Sequence, residues 1–352
     1  MPITLHPYEC RLIAEDYCNL THNLTHMVKK ESAGGWGMDG VWADDFHHQA
    51  RVMLAGDRDG YYIDFSGSPA DLAQTIRQGW FFKGQESAYF GGPRGSDPSG
   101  LAPEKFVFFM QNHDQVGNRA MGERLNHQID LAGYNALNAL LIFLPNTPLL
   151  FMGQEWAASS PFLYFADLSP QMGKLITQGR RDEFREFSAF TDPEARDRIP
   201  DPQDISTFER SRLNWREAGL DPHTSVLRFY KRMLGLRAQQ GRESGEINGK
   251  FEITLFASST MVIERIAGDA LYVGIFCLGP GGCADLTECS GVNKIGPTQW
   301  EVVVTSEDRD FSLEPRPVKI DFAGTCPKII FSRCGAVILR SSRIDPVLYG
   351  RI

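Results

Sequence analysis

The stretch FVFFMQNHDQVGNR, residues 106–119, changes from apolar to polar at a single step. Its first five side chains, at 106–110, form an uninterrupted apolar run, which is typical of a strand buried on both faces of a parallel sheet. Gln111, Asn112, His113 and Asp114 follow at once. Ligands of parallel α/β sheets and barrels bind at the carboxyl ends of the strands, so this polar ending indicates a functional edge.

Three other segments repeat the pattern of an apolar run followed by acidic or amide residues: CRLIAED (10–16), MDGVWADD (38–45) and PLLFMGQE (148–155). Helical candidates lie between these segments at 45–54, 69–82 and 131–144. The second candidate has Ser68 as its N-cap and Pro69 at its first position. Repeated βα units predict an α/β fold with a parallel sheet.

The texture of the chain changes after residue 153. Residues 154–245 contain charged helical stretches, the clearest at 207–217 and 225–239, and we predict that the polar segment GRRDEFREF (179–187) is a solvated helix face. From about residue 246 the hydrophobic period becomes two, and short segments separated by turn residues predict a small antiparallel β-sandwich. The expected domains are therefore 1–245 and 246–352.

Composition limits the partners and the compartment. Lys and Arg number 36 against 44 Asp and Glu, so the net charge is 36 − 44 = −8, which argues against nucleic-acid binding. No apolar run approaches the length of a membrane span, and the first residues lack the pattern of a signal peptide. Cys277, Cys283 and Cys289 recur every six residues, which could suggest a metal site, but we expect reduced thiols in a cytoplasmic protein without metal or cofactor.

The polar ends of the four strand segments should converge, because parallel strands end at the same edge of a sheet. Carboxylates with a histidine and amides suit sugar recognition, since hydroxyl groups form strong charge-assisted hydrogen bonds with carboxylates. Glycoside hydrolysis also needs a carboxylic acid and a carboxylate near one bond. The side chains expected to converge are Glu15, Asp44, Asp45, Asn112, His113, Asp114 and Glu155.

Structural roles remain open for some of these residues. Asp45 could cap the helix that follows it. His113 could be a hydrogen-bonded core histidine, although its place inside Asn-His-Asp after a buried strand favours a site. His47 and His48 are adjacent, so a helix would not aim both at one metal ion.

A family resemblance is carried by several of these segments together. Asn112-His113-Asp114 followed by QVGNRAMGERL (115–125) resembles the fourth signature region of the α-amylase superfamily of glycoside hydrolases (family 13), and LIAED (12–16) resembles the third. The segments VWADDFHH (41–48), DGYYIDF (59–65) and TPLLFMGQEW (147–156) are similar to the maltooligosyltrehalose trehalohydrolase family within it. The similarity spans about residues 9–240. It implies the last four βα units of a (β/α)8 TIM barrel, followed by the β-sandwich.

The resemblance also implies an activity and roles for residues. The enzyme would hydrolyse the α-1,4 bond of maltooligosyltrehalose and release trehalose, with a maltooligosaccharide as its partner. Glu15 would be the general acid/base, and Asp114 would stabilise the oxocarbenium-like transition state. His113 would donate to a sugar hydroxyl, and Asn112, Asp45 and His47 complete the predicted substrate-binding set.

The sequence departs from the family pattern at the nucleophile. No G-F-R-x-D-like segment precedes Glu15, and Arg58-Asp59 is rejected because it follows a helix and precedes a turn. The first-region Asn-His motif and four earlier strands are also missing. A missing N-terminal half could supply the nucleophile, the chain could be a non-catalytic α-glucan-binding protein, or Asp114 or Asp45 could act as the base in weak inverting hydrolysis. A glycogen branching enzyme is the alternative within the superfamily, and open barrel edges could allow self-association.

Overall fold

The computed structural model describes residues 10–25, 34–244, 251–257, 259–295, 299–324 and 326–341. Its strands are β1 (Ile13–Ala14), β2 (Gly40–Trp42), β3 (Lys83–Ser87), β4 (Gly92–Gly95), β5 (Phe106–Phe108), β6 (Thr147–Pro148), β7 (Phe251–Phe256), β8 (Thr260–Ala267), β9 (Ala270–Cys277), β10 (Gly282–Asp285), β11 (Trp300–Thr305), β12 (Lys319–Asp321), β13 (Lys328–Phe331) and β14 (Gly335–Ser341). Its helices are α1 (Asp44–Ala55), α2 (Pro69–Gln78), α3 (His113–Gly117), α4 (Leu131–Phe143), α5 (Pro170–Glu183), α6 (Pro193–Asp197), α7 (Ile205–Ser211), α8 (His223–Ser244) and α9 (Ser290–Ile295).

The N-terminal sheet is parallel and has the strand order β1-β2-β5-β6. Three of the four predicted strand segments contain one of these strands, the fourth overlaps β6 only at Pro148, and the predicted α/β class is confirmed. All three side chains of β5 are buried, as an uninterrupted apolar strand requires.

Two helices follow the predicted bounds closely, and one ends earlier. α1 and α4 begin within one residue of the expected positions. α2 begins at Pro69 with the Ser68 side chain accepting from Asp71 N–H, but it ends at Gln78 instead of residue 82. Gly79 ends it in the left-handed conformation, with φ of 96°. A Cβ there would lie 2.5 Å from the Phe106 ring, so the turn also needs glycine for space.

α4 lies in a hydrophobic core that the N-terminal and C-terminal parts of the described chain share. Residues 132–143 of this helix are all buried. It contacts α8, β9 and β14, which explains why it is apolar around its whole circumference. Phe143 packs against Phe276 of β9 with ring centroids 5.7 Å apart. The parallel sheet therefore shares its hydrophobic core with the C-terminal sheet across the expected domain boundary near residue 246.

The C-terminal residues form two antiparallel sheets. One has the order β11-β14-β9-β8-β7 and the other has the order β10-β13-β12. Val262, Ile275 and Val337 of the larger sheet share a second core with Ile329 and Phe331 of the smaller one. The period-two segments thus form antiparallel strands, as expected.

Several further features differ from the sequence prediction, among them the helix expected at 207–217, because α7 ends at Ser211. The hairpin of β3 and β4 and the strand β10 are additional elements. The segment 179–187 is not wholly solvated, because Arg180 and Phe184 are buried. No helix within the described ranges has the length and apolar character needed to cross a bilayer.

Candidate active site

The parallel register brings the ends of β1, β2 and β5 to one edge. Ala14 lies opposite Val41, and Trp42 lies opposite Val107. Ala43 N–H then donates a backbone hydrogen bond to the Val107 carbonyl, at 3.0 Å. Glu15, Asp44 and the polar residues after β5 therefore leave the sheet on the same side.

The carboxyl group of Asp44 interacts electrostatically with three neighbouring acidic side chains. Burial raises the pKa of Asp44 to about 7, and repulsion from Asp45, Asp114 and Glu15 acts in the same direction. Coulombic interactions weaken with distance, so Glu15 and Asp114 lie near enough to Asp44 to act on its charge. Three carboxyl groups from three strand ends thus share one edge; the sequence predicted that all three converge there, but a catalytic role was predicted only for Glu15 and Asp114.

A pH-dependent stability follows from the raised pKa of Asp44. The carboxyl group holds its proton more tightly in the folded chain, with a pKa of about 7, than at its ordinary value of 3.8. The stabilisation from this protonation is complete below about pH 3.8 and is lost as pH rises through about 7. We expect Asp44→Asn to gain about 2–4 kcal/mol in unfolding free energy, relative to the wild type, between pH 4 and pH 8.

Urea denaturation at several pH values measures this difference between variant and wild type. Asp97→Asn is the matched control, because a hydrogen bond from Ser99 lowers the pKa of that exposed carboxyl. A difference for Asp44→Asn that stays constant from pH 4 to pH 8 would show that Asp44 titrates normally.

Asp114 is held at the start of α3. The Asn112 side chain caps this helix by accepting from the Asp114 N–H at 2.8 Å and the Gln115 N–H at 3.2 Å. The Asn118 Nδ2 amide donates to Asp114 Oδ1 at 2.7 Å. His113 and Asp114 are exposed, whereas Asn112 is buried. Asn112 therefore shapes the site through its oxygen, and its neighbours face the open edge.

Aromatic rings border this edge. Trp42 packs edge-on against His113, with centroids 6.1 Å apart, and against Phe109 at 5.9 Å. Tyr17, two residues after Glu15, stacks on Phe90 of the β3–β4 turn at 5.4 Å, and both rings are exposed. The stacking of Tyr17 on Phe90 joins segments about 70 residues apart, and no local sequence signal could have predicted it.

Asp16 orders the chain beyond Glu15. Its carboxylate accepts from Cys18 N–H at 2.8 Å, from Leu20 N–H at 3.1 Å and from Asn23 Nδ2 at 2.6 Å. Glu15 itself is exposed at the end of β1. The loop is thus fixed by the second acid of LIAED while the first remains open to a ligand.

Asp45 lies away from the open edge. It is fully buried, pairs with Arg94 at 3.1 Å and accepts from Asn19 at 2.7 Å and from Phe81 N–H at 2.8 Å. The N-cap of α1 is Ala43, so Asp45 does not cap this helix either. The structure corrects the expected substrate contact: Asp45 anchors the β3–β4 hairpin, and Asp44 faces the site instead.

This anchoring role predicts a large loss of stability. We expect Asp45→Asn to lower the unfolding free energy by about 3–5 kcal/mol, because it leaves the buried Arg94 without its anion. Asp39→Asn is the control, since Asp39 pairs with the exposed Arg11 and its substitution should leave the unfolding free energy nearly unchanged. Chemical denaturation measures both. A stable Asp45→Asn variant that loses affinity for maltooligosaccharide would restore the substrate-binding role.

His47 is also a buried support rather than an exposed donor. Its Nδ1 pairs with the Met110 carbonyl, and its Nε2 lies 3.2 Å from the Tyr62 hydroxyl. Burial, followed by the charge of Arg51, lowers the pKa of His47 to about 3. This neutral ring connects α1 to Met110, two residues after the end of β5, so the structure corrects the predicted sugar contact here as well.

The remaining candidates are Glu155, which follows β6, and the three regularly spaced cysteines. Glu155 follows β6 in a 3-10 turn at Gln154–Trp156, where its charge acts on Arg124 and Tyr134. Cys277 and Cys289 are buried and Cys283 is exposed. Across the residues that the structure describes, no group of three or more His, Cys, Asp or Glu side chains is arranged to hold a metal ion.

Comparison with solved structures gives the class of protein that this parallel sheet and its strand-end carboxylates define. A protein from Salmonella typhimurium described as an α-amylase superposes with a TM-score of 0.73 at 25% identity, over 94% of this chain and 51% of that one. Bacillus licheniformis trehalose-6-phosphate hydrolase shares the fold at 14% identity, with a TM-score of 0.51 over 96% of this chain and 57% of that one. The fold is that of the α-amylase superfamily.

Curated relatives narrow this class. The chain is 42% identical over 232 residues to the malto-oligosyltrehalose trehalohydrolase of Deinococcus radiodurans, which is 65% of this chain and 36% of that protein. It is 33% identical over 264 residues to the enzyme of the same name from Saccharolobus solfataricus, which is 74% of this chain and 43% of that protein. The predicted resemblance is confirmed, and the chain is a homologue of these trehalohydrolases.

Two further facts qualify the match. The chain spans 36% to 43% of the length of these two curated relatives. No established protein-family profile matches it.

Proposed function

We propose that this chain carries the acid/base and stabilising carboxylates of a glycoside hydrolase that cleaves the α-1,4 bond of maltooligosyltrehalose and releases trehalose. The observation that supports it is the parallel register of β1, β2 and β5, which brings Glu15, Asp44 and Asp114 to the same edge of the sheet. The relatives' name supplies the substrate class.

Glu15 is the proposed acid/base. It is exposed at the end of β1, where a sugar can reach it. A carboxylic acid there protonates the departing glycosidic oxygen, and the resulting carboxylate then activates water for the second step.

Asp114 is the proposed stabiliser of the oxocarbenium-like transition state. Its carboxylate is exposed and fixed by Asn118, so it presents a negative charge where positive charge develops on the sugar. His113, braced by Trp42, donates to a hydroxyl of the same sugar. Asp44, with its raised pKa, donates a second hydrogen bond when protonated.

The proposed architecture is the last four βα units of a (β/α)8 barrel, followed by a β-sandwich. The parallel order β1-β2-β5-β6 supports the first part, and the two antiparallel sheets that share a core support the second. We place the domains at 1–245 and 246–352, with α4 of the first domain packed against β9 and β14 of the second.

The proposed hydrolysis also needs a nucleophilic carboxylate, and none of Glu15, Asp44 or Asp114 is given that role. Asp59 does not supply it, because it accepts from the Ser188 N–H at 3.1 Å and from the Ser188 hydroxyl at 2.8 Å, which fixes it beside residue 188. Leu12 and Ile13 are exposed at the outer edge of β1, which pairs only with β2 among the described strands, and a further strand of a barrel would pair there. A polypeptide carrying the first four βα units would complete the barrel there.

The test is turnover of maltooligosyltrehalose by the purified chain, alone and mixed with the N-terminal half of a relative. Trehalose should appear only in the mixture. Trehalose release by the chain alone would contradict the need for an external nucleophile. New α-1,6 branches in place of trehalose would establish a branching enzyme instead.

A binding-only role is the second candidate, because the open edge keeps exposed polar and aromatic groups beside each other. Calorimetry with maltotetraose measures it directly. Binding without turnover in the complemented mixture would support an α-glucan-binding protein.

A further inference from the structure

Helix α5 carries a buried arginine, Arg180, whose guanidinium contacts the segment that follows Asp114. Arg180 has only 8% of its side chain exposed, although it lies in the polar segment 179–187. Its neighbour Arg181 pairs with Asp197 at 3.6 Å at the surface. Burial of a guanidinium needs compensating contacts, so the surroundings of Arg180 indicate its role.

The guanidinium of Arg180 spans three successive residues of the QVGNR segment. Its Nη2 donates to the Gly117 carbonyl at 2.9 Å and to the Arg119 carbonyl at 3.3 Å. Its Nη1 lies 3.5 Å from the Asn118 side-chain oxygen. These contacts fix the backbone on both sides of Asn118 as well as its amide.

The chemistry of the two groups dictates how the Asn118 amide is oriented. A guanidinium can only donate hydrogen bonds, so Arg180 requires the oxygen of the amide to face it. The Nδ2 group must then face the opposite way, where it donates to Asp114 Oδ1 at 2.7 Å. The backbone N–H of Asn118 also donates to the Asp114 carbonyl at 2.8 Å, which sets the spacing.

Aromatic rings hold the guanidinium in place. Its central carbon lies 4.7 Å from the Tyr164 ring centroid and 5.3 Å from that of Phe184. Glu183 contributes its carboxylate at 3.9 Å. An arginine can stack on aromatic faces while its N–H donors stay in the guanidinium plane. The two rings therefore fix the plane in which Arg180 donates to residues 117–119.

We propose that Arg180 is a positioning residue that acts through Asn118 to hold the Asp114 carboxylate in one orientation at the strand-end site. The inference rests on the proposed role of Asp114 in the hydrolase. An exposed aspartate at a short helix would otherwise sample several rotamers. Small displacements of a catalytic group reduce rates strongly, so the cation on α5 sets a condition for catalysis.

The test uses crystal structures of the ligand-free chain with Arg180→Ala and with Asn118→Ala. The Asp114 carboxylate should shift or occupy more than one rotamer in both variants, and stay in place in Arg181→Ala. An unmoved carboxylate in both variants would overturn the inference. Asn118 is half-buried, so Asn118→Ala tests the contact with Asp114 without a large folding cost. Arg180→Lys, which keeps the charge but cannot contact residues 117–119 with a planar fork, tests Arg180 if Arg180→Ala fails to fold, and an unmoved carboxylate in Arg180→Lys would then overturn the inference.

A binding measurement separates positioning from general support. The probes are deoxynojirimycin, a cationic mimic of the transition state, and the neutral maltotetraose. Arg180→Ala and Asn118→Ala should weaken deoxynojirimycin about tenfold and maltotetraose by less than about threefold. An equal loss for both ligands would reduce Arg180 to a structural support. A wild-type chain that binds neither sugar would reject the proposed function, while the crystal structures would still decide the orientation of Asp114.

Discussion

Glu15→Gln should lower turnover of maltooligosyltrehalose about 10²–10⁴-fold in the complemented enzyme, because an amide cannot transfer the proton that the leaving group needs. Glutamine matches glutamate in shape, and Glu15 is exposed, so folding should be unaffected. The measurement is kcat for trehalose release, with calorimetric affinity for maltotetraose to show that the site still binds sugar.

A substrate with an activated leaving group isolates the protonation step. The fluoride ion of α-maltosyl fluoride leaves without needing a proton. Glu15→Gln should therefore lose far less activity in forming the glycosyl intermediate from this substrate. Glu301→Gln, on the exposed face of β11, is the matched control and should behave as wild type. Wild-type turnover of maltooligosyltrehalose by Glu15→Gln would refute the acid/base assignment.

The parallel sheet could be predicted because its signal is local. A strand such as Phe106–Phe108 is buried on both faces, so it reads as a continuous apolar run wherever the rest of the chain lies. The β3–β4 hairpin has no such signal. Its residues are largely exposed and rich in glycine and charge, and it is anchored by the pair of Arg94 with Asp45, about 50 residues away.

The sequence predicted which segments form the site, but not which side chain of each segment faces it. Asp44 and Asp45 are adjacent in the first turn of α1, and successive helical residues point about 100° apart, so only one can face the edge. Which one does so depends on Arg94 and on backbone amides at 81 and 82, which are distant in sequence. The buried position of His47 likewise depends on Tyr62 and Met110.

The burial of Arg180 shows the same limit. A run of charged residues predicts a solvated helix face, and Arg181 agrees with that rule. Arg180 breaks it because Tyr164 and Phe184 enclose its guanidinium and the QVGNR backbone accepts its hydrogen bonds. Composition alone cannot distinguish two neighbouring arginines whose partners lie on other segments.

Asp114→Asn should reduce turnover about 10³-fold while leaving affinity for maltotetraose within about threefold. The amide keeps the size of the side chain and an oxygen that can accept from Asn118, but it removes the negative charge. A neutral sugar in the ground state loses little from that change. The developing oxocarbenium ion loses its counter-charge, so kcat should fall much more than binding.

Two comparisons test whether the lost charge is the cause. Asp167→Asn, an exposed aspartate in the loop before α5, should leave both quantities unchanged. Deoxynojirimycin, which carries a positive charge, should lose affinity for Asp114→Asn in proportion to the fall in kcat, because both depend on the same carboxylate. Persistent turnover together with a collapse in maltotetraose affinity would make Asp114 a binding residue only. In that case the hydrogen bond from Asn118 would serve sugar recognition, and the stabilising charge would have to come from Asp44, whose pKa of about 7 leaves it partly ionised at neutral pH.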